Sequence, residues 1–556
     1  MSASTTEIER SGYDELDPHV HERRWVILGV LCLSLFIIVI DNSILNVAIP
    51  SLIRDLDASN SQIQWIIDSY VIVFAGLLLT TGSMSDRFGR KGALQAGLAL
   101  FALGSIASAS AQTADQLIFT RAFMGIGGAL IMPSTLSILT NVFRNPTERG
   151  RAIAVWAGLS GLAVAIGPVM GGLLLKHFSW QSVFWVNIPI AATALILGAF
   201  IVPKSRDPRQ SRLDPLGAVL SIAGLVTLLF GIIEGPSKGW TSTEVLLAFG
   251  IAIVMLTSFV LWEFHTDSPM LDMSLFKNPR FTAASMTITL MFFALFGSLF
   301  LITQYWQLVH GYSALEAGVR LVPFAMTMMI VAPLSARLVE KFGTKTIVLT
   351  GLSFVIVGLS LLSMLEPHTS YPLAISYFMI MGAGMGMTMA PATESVMGSL
   401  PREKAGVGSA VNDTTRQVGG ALGVAIIGSI VSSVYAGRIA TLTASFGLDA
   451  ATSHEAQSSL GGAQRVGSGL GAQASAFINE ANKIFVDAMA IGMRVSVFVI
   501  AFAFVIAWKF LPARATDHVA GSVATAHIEG QDTVAEPVAD SVAVGPPATA
   551  TLSAGD

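Results

Sequence analysis

Residues 82–91 read GSMSDRFGRK, and a degenerate copy of this stretch, ARLVEKFGTK, occupies residues 336–345. The two stretches are 254 positions apart. A second match, between PTER at 146–149 and PREK at 401–404, has an offset of 255. Repetition at one spacing predicts two related structural units that follow each other as parallel repeats.

The composition indicates whether these units lie in water or in a membrane. Hydrophobic residues make up 53% of the 556 residues and charged residues only 12%, with a mean hydropathy of +0.67. A typical soluble domain contains about 25% charged residues, so a water-soluble fold is excluded. About 20 apolar residues cross a bilayer core, and fourteen such stretches occur in the chain. They lie at 25–47, 62–83, 92–111, 117–140, 152–174, 181–202, 215–234, 243–263, 282–304, 314–339, 345–365, 372–397, 405–434 and 485–511.

The sequence therefore predicts an all-α polytopic membrane protein with two six-helix halves plus two inserted helices. The N-terminal segment is 1–24, the first half is 25–202, and a linker with the two inserted helices is 203–281. The second half, 282–511, includes a loop at 435–484 that is rich in Ser, Gly and Ala and is predicted to lie outside the membrane. The tail, 512–556, lacks a usable period and is predicted to be disordered.

The charges of the loops predict the orientation. If the N-terminus is cytoplasmic, the loops on that side hold 22 Lys and Arg residues and the loops on the other side hold six. Basic residues concentrate in cytoplasmic loops, so we expect both termini in the cytoplasm of a multi-pass inner (plasma) membrane protein. The first apolar stretch lacks a small-residue cleavage site and is therefore not a cleaved signal peptide.

Several classes of chemistry have no motif in this chain. It contains no GxxxxGK[ST] phosphate loop, no HExxH and no CxxC. Cys32 is the single cysteine, which excludes an internal disulfide and a thiolate metal site. The net charge of −4 does not favour nucleic acid. We therefore expect no enzyme activity, no cofactor, no metal and no nucleic-acid partner.

Residues 82–91 resemble the loop signature GxLxDRxGRK of the major facilitator superfamily, with Met84 in place of the usual Leu. DNSILNVAIP at 41–50 and WQSVFWVNIP at 180–189 resemble the first- and sixth-helix motifs of its fourteen-helix drug:proton antiporters, the QacA/EmrB-like branch. GPVMGG at 167–172 is similar to the antiporter motif of helix five. Together these resemblances cover roughly residues 25–510. Ala163 and Met124 depart from the usual Gly and Gln of these motifs.

The resemblance implies roles for two glycine-containing motifs. The gating motif comprises Gly82, Asp86, Arg87, Gly89, Arg90 and Lys91. The antiporter motif comprises Gly167, Pro168, Gly171 and Gly172, for which the family implies a kink that seals a proton leak. Small residues also allow membrane helices to pack closely, so simple packing is an equal alternative for the second motif.

Asp41 and Asp68, two carboxylates in apolar helices, are candidates for proton coupling, and the resemblance implies a role in proton coupling for Arg121 as well. A charge inside the membrane is costly unless it faces water or a partner. The two carboxylates are predicted at similar depth on antiparallel neighbouring helices, so that one divalent cation could contact both. The alternative is a structural hydrogen bond of Asp41 or Asp68, and a structural ion pair of Arg121.

The candidates for substrate binding are acidic and aromatic residues: Asp41, Asp68, Tyr70, Tyr305, Glu394 and Asp413. Aromatic faces attract organic cations. Asp413 and Arg416 are three positions apart on one helix and can also pair with each other, and that structural alternative is the stronger one.

The resemblance implies a proton-driven exporter of amphipathic, mainly cationic compounds such as quaternary ammonium compounds, dyes and antibiotics. Its partners would be these small molecules, protons and membrane lipids. We expect a monomer that is driven by the proton gradient and alternates between inward-open and outward-open states. The alternatives are a lipid or lysophospholipid transporter or flippase on the same fold, and a receptor or scaffold that lost transport. Asp41, Asp68 and Arg121 argue against the last of these.

Overall fold

The computed structural model describes residues 18–143, 146–205, 214–267, 269, 271–399 and 405–513. The predictions for most of the N-terminal segment and of the tail lie outside these residues, as does the PREK stretch at 401–404. Part of the linker, 206–213, also lies outside them.

A helix coincides with each of the fourteen predicted apolar stretches. Thirteen of them are long and apolar enough to cross a membrane when the described residues are searched. The helices are α1 (Arg24–Asp55), α2 (Asn60–Phe88), α3 (Arg90–Ala109), α4 (Ala114–Val142), α5 (Pro146–His177), α6 (Asn187–Ile201), α7 (Pro215–Lys238), α8 (Thr243–His265), α9 (Pro279–Gln304), α10 (Ala314–Phe342), α11 (Thr344–Leu362), α12 (Tyr371–Met397), α13 (Ala405–Ser445) and α14 (Ala474–Phe510). A single turn, Ser182–Trp185, precedes α6, and α9 continues as a π-helical turn, Tyr305–Val309.

The predicted internal repeat is present in the local structure. Ser59 and Gln62 form a capping box at the start of α2, and Ser313 and Glu316 form one at the start of α10. Both side chains of such a box satisfy backbone N–H groups that the helix leaves unpaired. The serines are 254 positions apart, the spacing that separates the two sequence copies.

The same helices also end alike. A single glycine joins α2 to α3 and α10 to α11, with φ of +114° at Gly89 and +83° at Gly343. Residues with a side chain rarely adopt these values, so glycine is required at both turns. The glycine that both sequence copies retain is thus explained by the backbone.

Helix pairing also repeats between the halves. In the first half α2 and α3 pack on α4, and α1 packs on α5. In the second half α10 and α11 pack on α12, and α9 packs on α13. The halves meet where α5 packs on α10 and α2 packs on α13. The inserted helix α7 packs on both α2 and α13, whereas α8 packs chiefly on α7.

The segment predicted as an outside loop, 435–484, is largely helical. Helix α13 continues to Ser445, α14 begins at Ala474, and the short helices Ala450–Ser458 and Leu460–Ser468 lie between them. Asp449 and Ser459 cap these short helices by accepting backbone N–H groups. We call residues 446–473 the cap segment.

Polar contacts join the two halves on the side opposite the termini. Gln307 Nε2 donates to Val47 O at 2.9 Å, and Ser429 Oγ lies 3.3 Å from Gln64 Oε1. Arg465 of the cap segment lies 2.9 Å from Asp57, which follows α1. The halves are therefore held together at this end in the conformation described.

Candidate functional site

Two deeply buried charged residues form an ion pair between α1 and α4. Arg121 Nη1 donates to Asp41 Oδ2 at 2.5 Å, and the side chains of the two residues are 0% and 2% exposed. A charge-assisted bond of this kind compensates two groups that would be costly alone inside a membrane. The partner of Arg121 is therefore Asp41, although 80 residues separate them.

Asn187 at the start of α6 completes this group. Its Nδ2 donates to Asp41 Oδ1 at 2.7 Å and also approaches Ser105 Oγ at 3.2 Å. Both carboxylate oxygens of Asp41 are thus occupied. Asn187 lies in the motif at 180–189, but the sequence alone indicated no role for it. An amide in an otherwise apolar stretch before Pro189 was the signal that could have identified it.

Arg121 has further contacts with α2. Its Nε donates to Ile66 O at 3.3 Å, and its guanidinium lies 4.4 Å from the centre of the Tyr70 ring. Such an arrangement adds a cation–π attraction to the ion pair. Tyr70 is fully buried against Phe74 and Phe101, so the structure places it behind the ion pair. We call Asp41, Arg121 and Asn187 the buried charge group.

Asp68 lies on a different face of α2 from the residues that hold Arg121. It is fully buried, and neither of its carboxylate oxygens has a hydrogen-bond partner in the described residues. Asp68 follows Gln64 by four residues, and Gln64 contacts Ser429 of α13. Residues four apart share a helix face, so Asp68 is directed toward the second half.

The expected pairing of Asp41 with Asp68 around one divalent cation is therefore not seen. The depth agrees with the prediction, since Arg121 contacts both Asp41 and the backbone of Ile66. The two carboxylates, however, turn to different neighbours. Asp41 is directed to α4 and α6, whereas Asp68 is directed toward α13.

A second ion pair lies in the other half. Arg416 Nη1 lies 3.9 Å from Asp413 Oδ1 on α13, and their side chains are 30% and 13% exposed. Arg416 Nη2 donates to Thr393 Oγ1 of α12 at 3.0 Å, and its guanidinium lies 5.6 Å from the Phe292 ring of α9. Asp413 and Arg416 thus do approach each other, as the sequence allowed. We call these two residues the loose pair.

Tyr305 and Glu394, the other predicted binding residues, lie at two different places in the second half. Tyr305 is buried in the π-helical turn after α9, where its hydroxyl donates to Glu366 O at 2.7 Å. Glu394 is exposed near the end of α12. The structure therefore does not bring the six predicted binding residues into one site.

The gating motif links helices of the first half. Arg90 Nη1 donates to Ser137 O of α4 at 3.3 Å, and its backbone N–H donates to Ser205 O at 2.9 Å. Lys91 Nζ donates to Ala199 O of α6 at 2.7 Å. The side chain of Asp86 lies outside the described residues, Arg87 is exposed, and Gly82 has ordinary space around it.

The antiporter motif packs α5 between α1 and α10. A Cβ on Gly171 would lie 3.0 Å from Ile44 of α1, and one on Gly167 would overlap Ser43. A Cβ on Gly172 would overlap the backbone of Leu315, while Pro168 O lies against Gly318. These small residues allow close helix contact on both sides of α5.

Comparisons with known proteins are consistent with this architecture. The sequence profile described as Major Facilitator Superfamily matches residues 31–424. The chain belongs to the Major Facilitator Superfamily. It is 35% identical over 464 residues to the multidrug efflux pump LfrA of Mycolicibacterium smegmatis, covering 83% of this chain and 91% of LfrA. It is 31% identical to the methyl viologen resistance protein SmvA of Salmonella typhimurium, covering 84% and 93%.

Among solved structures, the fold is similar to a bacterial homolog of the human lysosomal transporter Spinster in an inward-facing, unoccupied conformation. The TM-score is 0.62 at 18% identity, covering 90% of this chain and 99% of that one. The protein is thus an all-α, multi-pass membrane protein with the major facilitator fold. Its curated relatives include multidrug efflux, antibiotic resistance and methyl viologen resistance proteins.

Proposed function

We propose that the protein is a proton-driven exporter of amphipathic, mainly cationic compounds that works by alternating access. The observation that carries this proposal is the buried charge group, in which the carboxylate of Asp41 is paired with the guanidinium of Arg121 between transmembrane helices. The names of LfrA and SmvA support drugs and organic cations as the class of substrate.

The chemistry of coupling follows from the geometry. A proton on Asp41 would neutralise its carboxylate and remove the attraction that holds Arg121, so the protonated and ionised forms favour different packings of α1 and α4. Each elementary charge that crosses 100 mV supplies about 2.3 kcal/mol, which can drive export against a gradient. Asp68 is a second carboxyl at similar depth that can bind a proton.

The loose pair is the proposed site where a substrate charge is compensated. Asp413 keeps only a distant contact with Arg416, and the Phe292 ring lies against the guanidinium of Arg416. A lipophilic cation needs a carboxylate and an aromatic face, and both are present there.

A transport assay with purified protein in liposomes tests this proposal. An imposed pH gradient should drive uptake of tetraphenylphosphonium into liposomes that contain the protein, and a protonophore should abolish it. Transport of a fluorescent lysophospholipid is measured in the same liposomes. Lipid transport without cation transport would replace the proposal with the lipid transporter alternative.

A further inference from the structure

The inserted helix α7 occupies a defined place on the molecule, over the line where α2 of the first half meets α13 of the second. We call this line the seam. Ile72 and Ala75 of α2, Leu225 and Leu229 of α7, and Ala421 and Leu422 of α13 surround one small cavity at the seam. Helix α7 therefore lies at the periphery of the helix bundle and covers the contact between α2 and α13.

The attachment of α7 to α2 is tight and partly polar. Trp65 Nε1 donates to Glu234 Oε1 at 3.1 Å, and the Trp65 ring lies 6.4 Å from that of Phe230. One helical turn beyond Ile72, Gly76 fits closely against Ile222, and a Cβ placed on Gly76 would lie 3.5 Å from Ile222 Cβ. Hydrogen bonds and close fits at glycine are contacts that resist sliding.

The contact of α7 with α13 is different in kind. It is made around the small cavity, and no hydrogen bond joins α7 to α13 among the residues that the structure describes. An apolar contact beside a cavity contains no hydrogen bond that would break when one helix shifts along the other. The two sides of α7 thus differ in the kind of contact, which includes a hydrogen bond and a close fit at a glycine toward α2 and is apolar toward α13.

Asp68 lies on α2 beneath helix α7, at the seam. On α2 it is three residues after Trp65, which contacts α7, and four after Gln64, which contacts α13. Successive residues are 100° apart around a helix, so Asp68 falls between these two directions. Its side chain is fully buried, with no exposure at the surface that would face lipid.

We propose that the hairpin α7–α8 moves with the N-terminal half and that α7 is a sliding seal, along which α13 shifts while Asp68 stays covered. This inference rests on the proposed function, because it requires the halves to move relative to each other. The described residues 271–278 lead from the hairpin into α9, and Glu263 Oε2 of α8 accepts the N–H of Leu271 at 2.7 Å. That joint is at the end of α8 near the termini and is the hinge in this account.

Two cysteine pairs test the seal in a Cys32→Ala background, which removes the single native thiol. Gly76→Cys with Ile222→Cys links α2 to α7, and its Cβ separation of 3.5 Å is within disulfide range. Leu225→Cys with Ala421→Cys links α7 to α13 across the cavity and is closed by a short bis-methanethiosulfonate reagent, which joins the two cysteines through disulfides that a reductant cleaves. Each pair is assayed for tetraphenylphosphonium transport when open, when linked and after reduction.

The α2–α7 link should leave the transport rate within about twofold, whereas the α7–α13 link should lower it at least about tenfold, with recovery on reduction. The reverse pattern would show that the hairpin moves with the C-terminal half. Loss with both links would show that α7 itself must move against α2, and no loss with either would show that α13 does not slide. Each of these three results overturns the proposal.

A second measurement does not depend on export. The rate of link formation is compared with and without tetraphenylphosphonium, and it should change only for the α7–α13 pair. A change at the α2–α7 pair would contradict the seal. If neither the unlinked double-cysteine variants nor the wild-type chain transported tetraphenylphosphonium, that result would contradict the proposed function instead. The linking rates would still decide how the hairpin moves.

Discussion

The two halves each contain an aspartate–arginine pair, and the pairs differ in almost every physical respect. Asp41 and Arg121 are essentially unexposed, lie 2.5 Å apart and come from different helices. Asp413 and Arg416 are 13% and 30% exposed, lie 3.9 Å apart and come from one helix. The repeat that aligns the gating loops does not extend to the charges. The halves share a scaffold, and the difference in charge packing indicates a division of labour between them.

The difference has an energetic reason. A buried pair resists the loss of one member because the remaining charge is left without compensation in a low-dielectric region. A partly exposed pair loses less, since water and neighbouring groups take over the missing partner. Substitutions in the two pairs should therefore have effects of very different size.

The largest effect is expected from Arg121→Gln, which leaves the Asp41 carboxylate buried without its cation. We expect a loss of about 3–5 kcal/mol of stability and a marked fall in membrane level. The double variant Asp41→Asn/Arg121→Gln should recover much of that level, because no uncompensated charge remains. Detergent-solubilised thermal stability measures both. Equal stability of Arg121→Gln and the wild type would remove the energetic basis of the comparison.

Asn187→Ala should have the next largest effect. It removes a hydrogen bond to an ionised carboxylate, and such bonds contribute about 1.5–3 kcal/mol. We expect lower thermal stability and slower export. Ser105→Ala is the matched control, because it removes the second contact of the same amide together with a weak contact of Ser105 Oγ with Met124 Sδ at 3.9 Å. If both variants behaved alike, Asn187 would not belong to the buried charge group.

The turns at Gly89 and Gly343 are equivalent positions of the repeat, so substitutions there allow the two halves to be compared. Gly89→Val and Gly343→Val place a β-branched residue at positive φ, and each should cost about 1–3 kcal/mol. Gly92→Ala is the control, since it has no close neighbour and lies in the first turn of α3. Thermal unfolding measures all three. A large loss at only one of the two turns would show that the repeat differs in backbone strain.

The smallest effect on folding is expected at the loose pair. Asp413→Asn and Arg416→Gln should each change stability by about 1 kcal/mol or less. We expect instead that Asp413→Asn raises the KM for tetraphenylphosphonium severalfold while leaving the KM of an uncharged substrate unchanged. Equal changes in KM for charged and uncharged substrates would contradict the assignment of Asp413 to charge compensation.

The scaffold could be predicted from the sequence because its signals are local. Apolar length gave the fourteen helices, and a loop copied at offset 254 gave the parallel repeat, which the capping serines and the turn glycines then confirm. Short caps such as Asp449 and Ser459 were also present in the sequence, but the low hydropathy of residues 446–473 obscured the helices that they begin.

The partners of the charged residues could not be predicted in the same way. Asp41 meets Arg121 and Asn187 across 80 and 146 positions, and only the packing of α1, α4 and α6 brings them together. The depth of Asp41 and Asp68 followed from counting residues along their helices. Their directions did not, because the face that a residue presents depends on which helices surround it.

Asp41→Asn in liposomes tests the central claim, that the buried charge group couples export to protons. The variant keeps the shape of the side chain and lacks the titrating group. We predict that a pH gradient no longer drives accumulation of tetraphenylphosphonium, while exchange of labelled for unlabelled cation continues. Asp413→Asn, the matched variant of the other half, should still respond to the pH gradient. Full accumulation by Asp41→Asn against a concentration gradient would contradict the account.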